Sequence, residues 1–135
     1  MNREQFAHSR MLIVYEDGSE AGMCSLHCAA VELAVKLDKS LKTTLVGDVN
    51  TKKLVDAEKA IWVLGGDKSG VMTKRAKWAF QDKSDAEAFI KDHGGVLAAY
   101  EEAMKAAYED MYTDTKMIRE RRKQKRQALE APKTN

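Results

Sequence analysis

Short apolar runs alternate with turn signals along the first hundred residues, a pattern typical of β-strands. Residues 11–15 form a continuous apolar run closed by an Asp-Gly turn, which predicts a strand of a hairpin with a short return strand over residues 19–24. The β-branched stretch 43–46 predicts another strand. The apolar run 60–64 predicts a buried one, whereas the polar residues 50–56 before it predict a loop or a short helix.

Two helices are predicted between these strands. Small and apolar residues at helical spacing predict a helix over residues 25–37, with Ser25 at its N-cap. Aromatic residues alternate over residues 77–80 and predict a strand. The polar run that follows predicts a second helix over residues 85–93, ended by a Gly-Gly pair. The order strand, strand, helix therefore occurs twice.

The last part of the chain has a different character. From Tyr100 onward apolar residues keep helical spacing without any strand signal, which predicts a C-terminal helix. Residues 116–135 hold eight basic and two acidic side chains, a net charge of +6, and residues 1–115 carry −4. The formal charge of +2 thus separates into an acidic body and a basic tail, which is either a docking surface or simply a solvated helix end.

Composition excludes several classes of protein. Two cysteines cannot form a disulfide scaffold, an iron–sulfur cluster or a Cys-only zinc site. The longest apolar runs are five residues, so no membrane-spanning helix is predicted. No Ser-His-Asp order, paired-carboxylate pocket or His-Glu-x-x-His motif is recognisable, and the sequence therefore favours a binding protein over an enzyme.

Reactive side chains concentrate at the predicted junction of strand and helix. Cys24 and Cys28 lie one helical turn apart, and Met23 and His27 form a second pair on a neighbouring face. Thiolate, thioether and imidazole groups favour copper(I) and zinc over magnesium or calcium. Met72 is a further lone candidate. The alternative is that the cysteines are small buried hydrophobes, with His27 facing solvent.

Over residues 6–30, with the Asp-Gly turn, Gly22-Met23-Cys24-Ser25 and His27-Cys28, the chain resembles the NosL family of accessory proteins. The resemblance continues through Val46-Gly47-Asp48, Gly70-Val71-Met72 and Trp78-Ala79-Phe80 and spans most of residues 1–105. It implies an α+β fold of two small ββα(β)-type units related to the organomercurial-lyase fold, plus the C-terminal helix. The predicted division is residues 1–56, 57–99 and 100–135.

The same resemblance implies a function. NosL proteins are associated with copper(I) delivery to nitrous-oxide reductase and are exported or lipid-anchored, which implies a periplasmic or otherwise extracytoplasmic setting here. Members typically carry Cys-x-x-Cys-Gly-Met before the first hairpin, and that methionine resembles Met1. We expect that the chain begins within this motif or lacks its cysteines, and that any membrane anchor precedes Met1.

The hypothesis is therefore a copper(I)-binding accessory protein, or metallochaperone, whose candidate soft-metal ligands are Met1, Met23, Cys24, His27, Cys28 and Met72. Copper(I) is favoured over zinc. The expected partners are the metal ion and a metalloenzyme or its assembly machinery, with no nucleic acid. The alternatives are a thiol-dependent redox protein or enzyme, with Cys24 as nucleophile and Cys28 as resolving thiol, and an interaction module that docks through its basic tail.

Overall fold

A computed structural model describes residues 2–130 of the chain and shows seven strands and four helices in that range. The elements are β1 (Met11–Tyr15), β2 (Glu20–Met23), α1 (Leu26–Val35), β3 (Leu41–Gly47), β4 (Leu54–Asp56), β5 (Ile61–Leu64), β6 (Lys77–Phe80), α2 (Lys83–His93), β7 (Val96–Ala98), α3 (Tyr100–Glu109) and α4 (Met111–Glu130).

The strands form two antiparallel sheets with a repeated topology. The first sheet has the order β2-β1-β3-β4, and the second has the order β6-β5-β7. In each, a hairpin is followed by a helix, and the next strand then pairs with the first strand of that hairpin. The α+β class and the repeated ββαβ order predicted from the sequence are confirmed, whereas the residue boundaries of the units stay a prediction.

Side chains of β5 alternate between two hydrophobic clusters. Trp62 is 1% exposed and belongs to the cluster of the first sheet, α1 and α3, whereas Val63 is fully buried in the cluster of the second sheet and α2. Trp78 and Phe80 join Val63 in the second cluster, as their alternation along β6 predicts. Because neighbouring residues of one strand serve different cores, the two units pack as one body.

Three elements depart from the sequence prediction. The stretch 50–56, predicted as loop or helix, contains the edge strand β4, and no residue pattern marked β7, which only the family resemblance implied. Both are three residues long, too short for a periodicity to be visible. The single C-terminal helix is two helices, which meet at Asp110.

The segment before β1 crosses the end of β3 and reaches the junction between β2 and α1. A Cβ atom at Gly47 would overlap the carbonyl oxygen of Ala7, so glycine allows this close crossing. Ser9 is buried there, and its hydroxyl donates a hydrogen bond of 2.8 Å to the carbonyl oxygen of Cys24. The N-terminal segment thereby holds the start of the cysteine cluster in place.

Candidate metal centre

The two thiols lie side by side where β2 passes into α1. Cys24 precedes the N-cap residue Ser25, whose extended backbone starts the helix, and Cys28 lies in the first turn of α1. Their sulfur atoms are 3.6 Å apart and both cysteines are free. Two metal–sulfur bonds of about 2.3 Å at a tetrahedral angle place the sulfurs about 3.8 Å apart. The pair is therefore already spaced to bind one metal ion.

The two thiols differ in acidity. The Cys24 and Cys28 sulfurs share a hydrogen bond, which, against the opposing effect of burial, lowers the pKa of Cys24 from 9.0 to about 6. The same hydrogen bond and burial raise the pKa of Cys28 above its ordinary value. At neutral pH the pair therefore holds one thiolate and one thiol, and one soft anionic ligand exists before any metal arrives.

Methionine completes the surroundings of this pair. Met72 lies in the long loop between β5 and β6, yet it lines the same surface cavity of about 410 Å³ as Cys24 and Cys28. We call this the soft-ligand cavity. Met23 also lines it but is 9% exposed and packs into the first hydrophobic cluster, so its side chain has a second role in the core.

The backbone at Met72 is in the left-handed region. Its φ is +59°, and the only other non-glycine residue between 2 and 130 with a positive φ is Lys52, at +62°. An L-residue in this region costs about 1–2 kcal/mol, and such strain concentrates at functional sites. Met72 adopts this conformation in the loop that lines the soft-ligand cavity.

His27 points away from the thiols. His27 is the residue immediately before Cys28 on α1. It is 5% exposed and lines a separate small cavity with Lys77 and Trp78. Its Nδ1 lies 3.7 Å from Asp114 Oδ2, and burial lowers the pKa of His27. The structure therefore separates His27 from Cys24, Cys28 and Met72, which it brings together; Met1 lies outside the described residues.

A polar network around the start of α4 links the two parts of the site. Asp110 accepts hydrogen bonds from Arg75 Nε at 2.7 Å, near the end of the Met72 loop, and from Lys77 Nζ at 2.9 Å, at the start of β6. Asp114 is 1% exposed and accepts a hydrogen bond from the backbone N–H of Lys74 at 3.1 Å. The same Asp114 faces His27 on α1, so it lies between the helix that carries Cys28 and the loop that carries Met72.

Sequence reasoning missed this network, as well as Arg122, which reaches the soft-ligand cavity from α4. The Arg122 charge lowers the pKa of Cys28 in part, against the larger effects that raise it. The contacts of Arg122 and Asp114 join residues about a hundred positions apart, and no local spacing signals such a pairing.

Nitrogen and oxygen ligands form no separate metal site in the described part of the chain. Within residues 2–130 no three His, Cys, Asp or Glu side chains converge to hold a metal ion. Among these residues, no helix is long and apolar enough to cross a bilayer. The side chains beside the thiol pair that could add to a metal's coordination are the thioethers of Met23 and Met72 and the carboxylate of Glu32.

The fold and cavity define a class: a small α+β protein of repeated ββαβ topology with a thiol pair at one strand–helix junction. The model of the NosL family matches residues 1–108, and the chain belongs to the NosL family. Among solved structures it is similar to the copper chaperone NosL from Shewanella denitrificans, with 23% identity and a TM-score of 0.58, over 69% of this chain and 76% of that one. No curated protein sequence matches significantly.

Proposed function

We propose that the protein binds copper(I) as cargo through Cys24, Cys28 and Met72 and delivers it to an extracytoplasmic partner. The observation that carries the proposal is the thiol pair, with sulfurs 3.6 Å apart, in one cavity with a methionine. Membership of the NosL family and the copper chaperone among its structural neighbours support copper as the metal. The extracytoplasmic setting and the metalloenzyme partner rest on the family resemblance.

The ligand set favours copper(I) over zinc. Structural zinc sites are closed by four Cys, His or carboxylate ligands. Three such side chains, Cys24, Cys28 and Glu32, line the soft-ligand cavity among the described residues. Glu32 already accepts a hydrogen bond from the Tyr15 hydroxyl at 3.0 Å. Soft thiolate and thioether ligands suit copper(I). In this proposal the ion is cargo, which is released to a partner rather than retained for catalysis.

The test is a competition for copper(I) against a chromogenic chelator under reducing conditions. The double variant Cys24→Ser, Cys28→Ser should lose stoichiometric binding. His27→Gln serves as the control and should keep the wild-type affinity, because its ring lies in another cavity. Undiminished affinity in the double variant, with its fold intact by circular dichroism, would sink the proposal.

One observation favours a second candidate, a thiol redox protein. A thiol with a pKa of about 6 next to a second cysteine is the arrangement of disulfide exchange, in which Cys24 attacks a substrate disulfide and Cys28 then closes the Cys24–Cys28 bond. Two electrons pass to the substrate, whose two sulfurs leave as thiols. Metal-free protein that reduces a disulfide substrate catalytically with a thiol reductant would favour this candidate over copper binding.

A further inference from the structure

Four cations form a row along α4. Lys116, Arg119, Lys123 and Arg126 follow one another at spacings of three and four residues, which places them on one helical face, here called the basic stripe. Asp114, on the side that faces the body, is 1% exposed. At about 100° per residue, Lys116 and Lys123 lie about 160° to 180° around the helix from Asp114. The basic stripe therefore faces outward.

The stripe is exposed, and its four cations face one neighbouring carboxylate, that of Glu120, which lies four residues after Lys116 and three before Lys123. Every residue from Arg119 to Glu130 is exposed, and none of the four stripe cations forms a salt bridge with any residue between 2 and 130. Arg75 and Lys77, by contrast, both pair with Asp110. Like charges three and four residues apart destabilise a helix, so a bound anionic group would relieve a repulsion that is present in the free protein.

We propose that the basic stripe is a docking surface for an acidic segment of a protein partner. Insertion into a membrane requires a row of large apolar side chains, whereas this face has only Tyr112 at one end and Leu129 at the other among the described residues. A nucleic acid would also meet residues 1–115, whose net charge of −4 repels phosphates. An acidic segment of a protein can bind along the narrow stripe without approaching residues 1–115, which are acidic overall.

The stripe also adjoins the soft-ligand cavity. Arg122 lies three residues after Arg119 and four before Arg126, and it lines the cavity that contains both cysteines. A segment bound along α4 therefore lies beside the mouth of that cavity. This second part rests on the proposed function, because it places a metal recipient next to its cargo. The stripe lies beyond residues 1–108, the part matched by the family model.

The experiment uses the full-length, metal-free protein and fluorescent poly-L-glutamate as the probe, followed by anisotropy. The stripe variant carries Lys116→Ala, Arg119→Ala, Lys123→Ala and Arg126→Ala, changes that favour the helix. The control variant removes the same charge from exposed lysines of the body, by changing Lys42, Lys53, Lys59 and Lys91 to Ala. We expect binding about tenfold weaker in the stripe variant and within about twofold of wild type in the control, with both effects fading at high salt.

Two results would overturn the proposal. Equal losses in the two variants would show that the probe senses net charge and not the stripe. Tighter binding to a single-stranded oligouridine, or to phosphatidylserine vesicles, than to poly-L-glutamate would identify a different class of partner. Because no metal is present, failure here leaves the copper competition unaffected, and failure of copper binding leaves the docking surface standing.

Discussion

The two ββαβ units share a strand order but place their chemistry at different positions. In the first, the hairpin connection is four residues, 16–19, and the thiols lie at the junction of β2 and α1. In the second, the connection is twelve residues, 65–76, and contains Met72, whereas the junction of β6 and α2 has Gln81 and Asp82. The soft-ligand cavity therefore takes its thiols from one unit and a methionine from the other.

The two strand–helix junctions also differ in how firmly they are held. Asp48 is fully buried and accepts backbone hydrogen bonds from Asn50, Thr51 and Gln81, at 2.8, 2.9 and 2.7 Å. At the cysteine junction, Ser9 supplies a single hydrogen bond to Cys24. The second junction is thus bound, through Gln81, to a carboxylate that two further hydrogen bonds fix within its own turn, whereas the cysteine junction is bound to a hydroxyl that makes one hydrogen bond.

The largest expected effect comes from removing the firmer support. Asp48→Ala should lower the free energy of unfolding by about 3 kcal/mol, because three part-buried hydrogen bonds from backbone N–H groups to the Asp48 carboxylate are lost at about 1 kcal/mol each. Ser9→Ala should cost only about 1 kcal/mol for its single bond. Urea unfolding of both variants measures the difference. Similar losses in the two would contradict the contrast between the junctions, and Asp48→Asn, which keeps one oxygen, should fall between them.

The next largest effect is on the acidity of the thiols, which the first unit alone supplies to the cavity. Cys28→Ala removes the hydrogen-bond partner, so the pKa of Cys24 should rise from about 6 towards 9.0. The pH dependence of alkylation at Cys24, resolved by mass spectrometry, gives both values. In the wild type the pKa is lower in the folded state than in the unfolded one, so this group stabilises the fold fully above pH 9.0 and loses its contribution as the pH falls through about 6. An unchanged alkylation midpoint in Cys28→Ala would show that the neighbouring thiol is not the cause.

The smallest expected effect is that of Met72→Gly in the second unit, which should raise the stability of the metal-free fold and lower the affinity for copper(I). Met72→Gly should stabilise the metal-free fold by up to about 1 kcal/mol, because glycine adopts a positive φ without strain. It should also weaken copper(I) binding by about tenfold, or about 1.4 kcal/mol. Lys52→Gly is the matched control, since it relieves the same backbone strain far from the thiols. If both variants bind copper(I) as the wild type does, Met72 is not a ligand.

Much of the fold was predictable because it depends on local signals. The bounds of β1 and β6 match their apolar and alternating runs, and Ser25 occupies the N-cap position of α1 as predicted, although its hydroxyl makes no capping hydrogen bond. Short edge strands such as β4 form because β3 offers free backbone groups to pair with, a tertiary cause that leaves little trace in three residues.

The site was predictable only in part, for the same reason. The spacing of Cys24 and Cys28 on a helix indicates their proximity, and the structure places their sulfurs together. It does not indicate which way His27 turns, because that depends on Asp114 and the packing of α4. Nor does it indicate that the loop carrying Met72 folds back over α1.

X-ray absorption at the copper edge of the copper(I)-loaded protein tests most directly whether both units supply the ligands. The account predicts a sulfur shell from Cys24 and Cys28 with an additional thioether sulfur that disappears in Met72→Leu, while Met104→Leu, on α3, changes nothing. A shell containing an imidazole nitrogen, or one that Met72→Leu leaves intact, would contradict it.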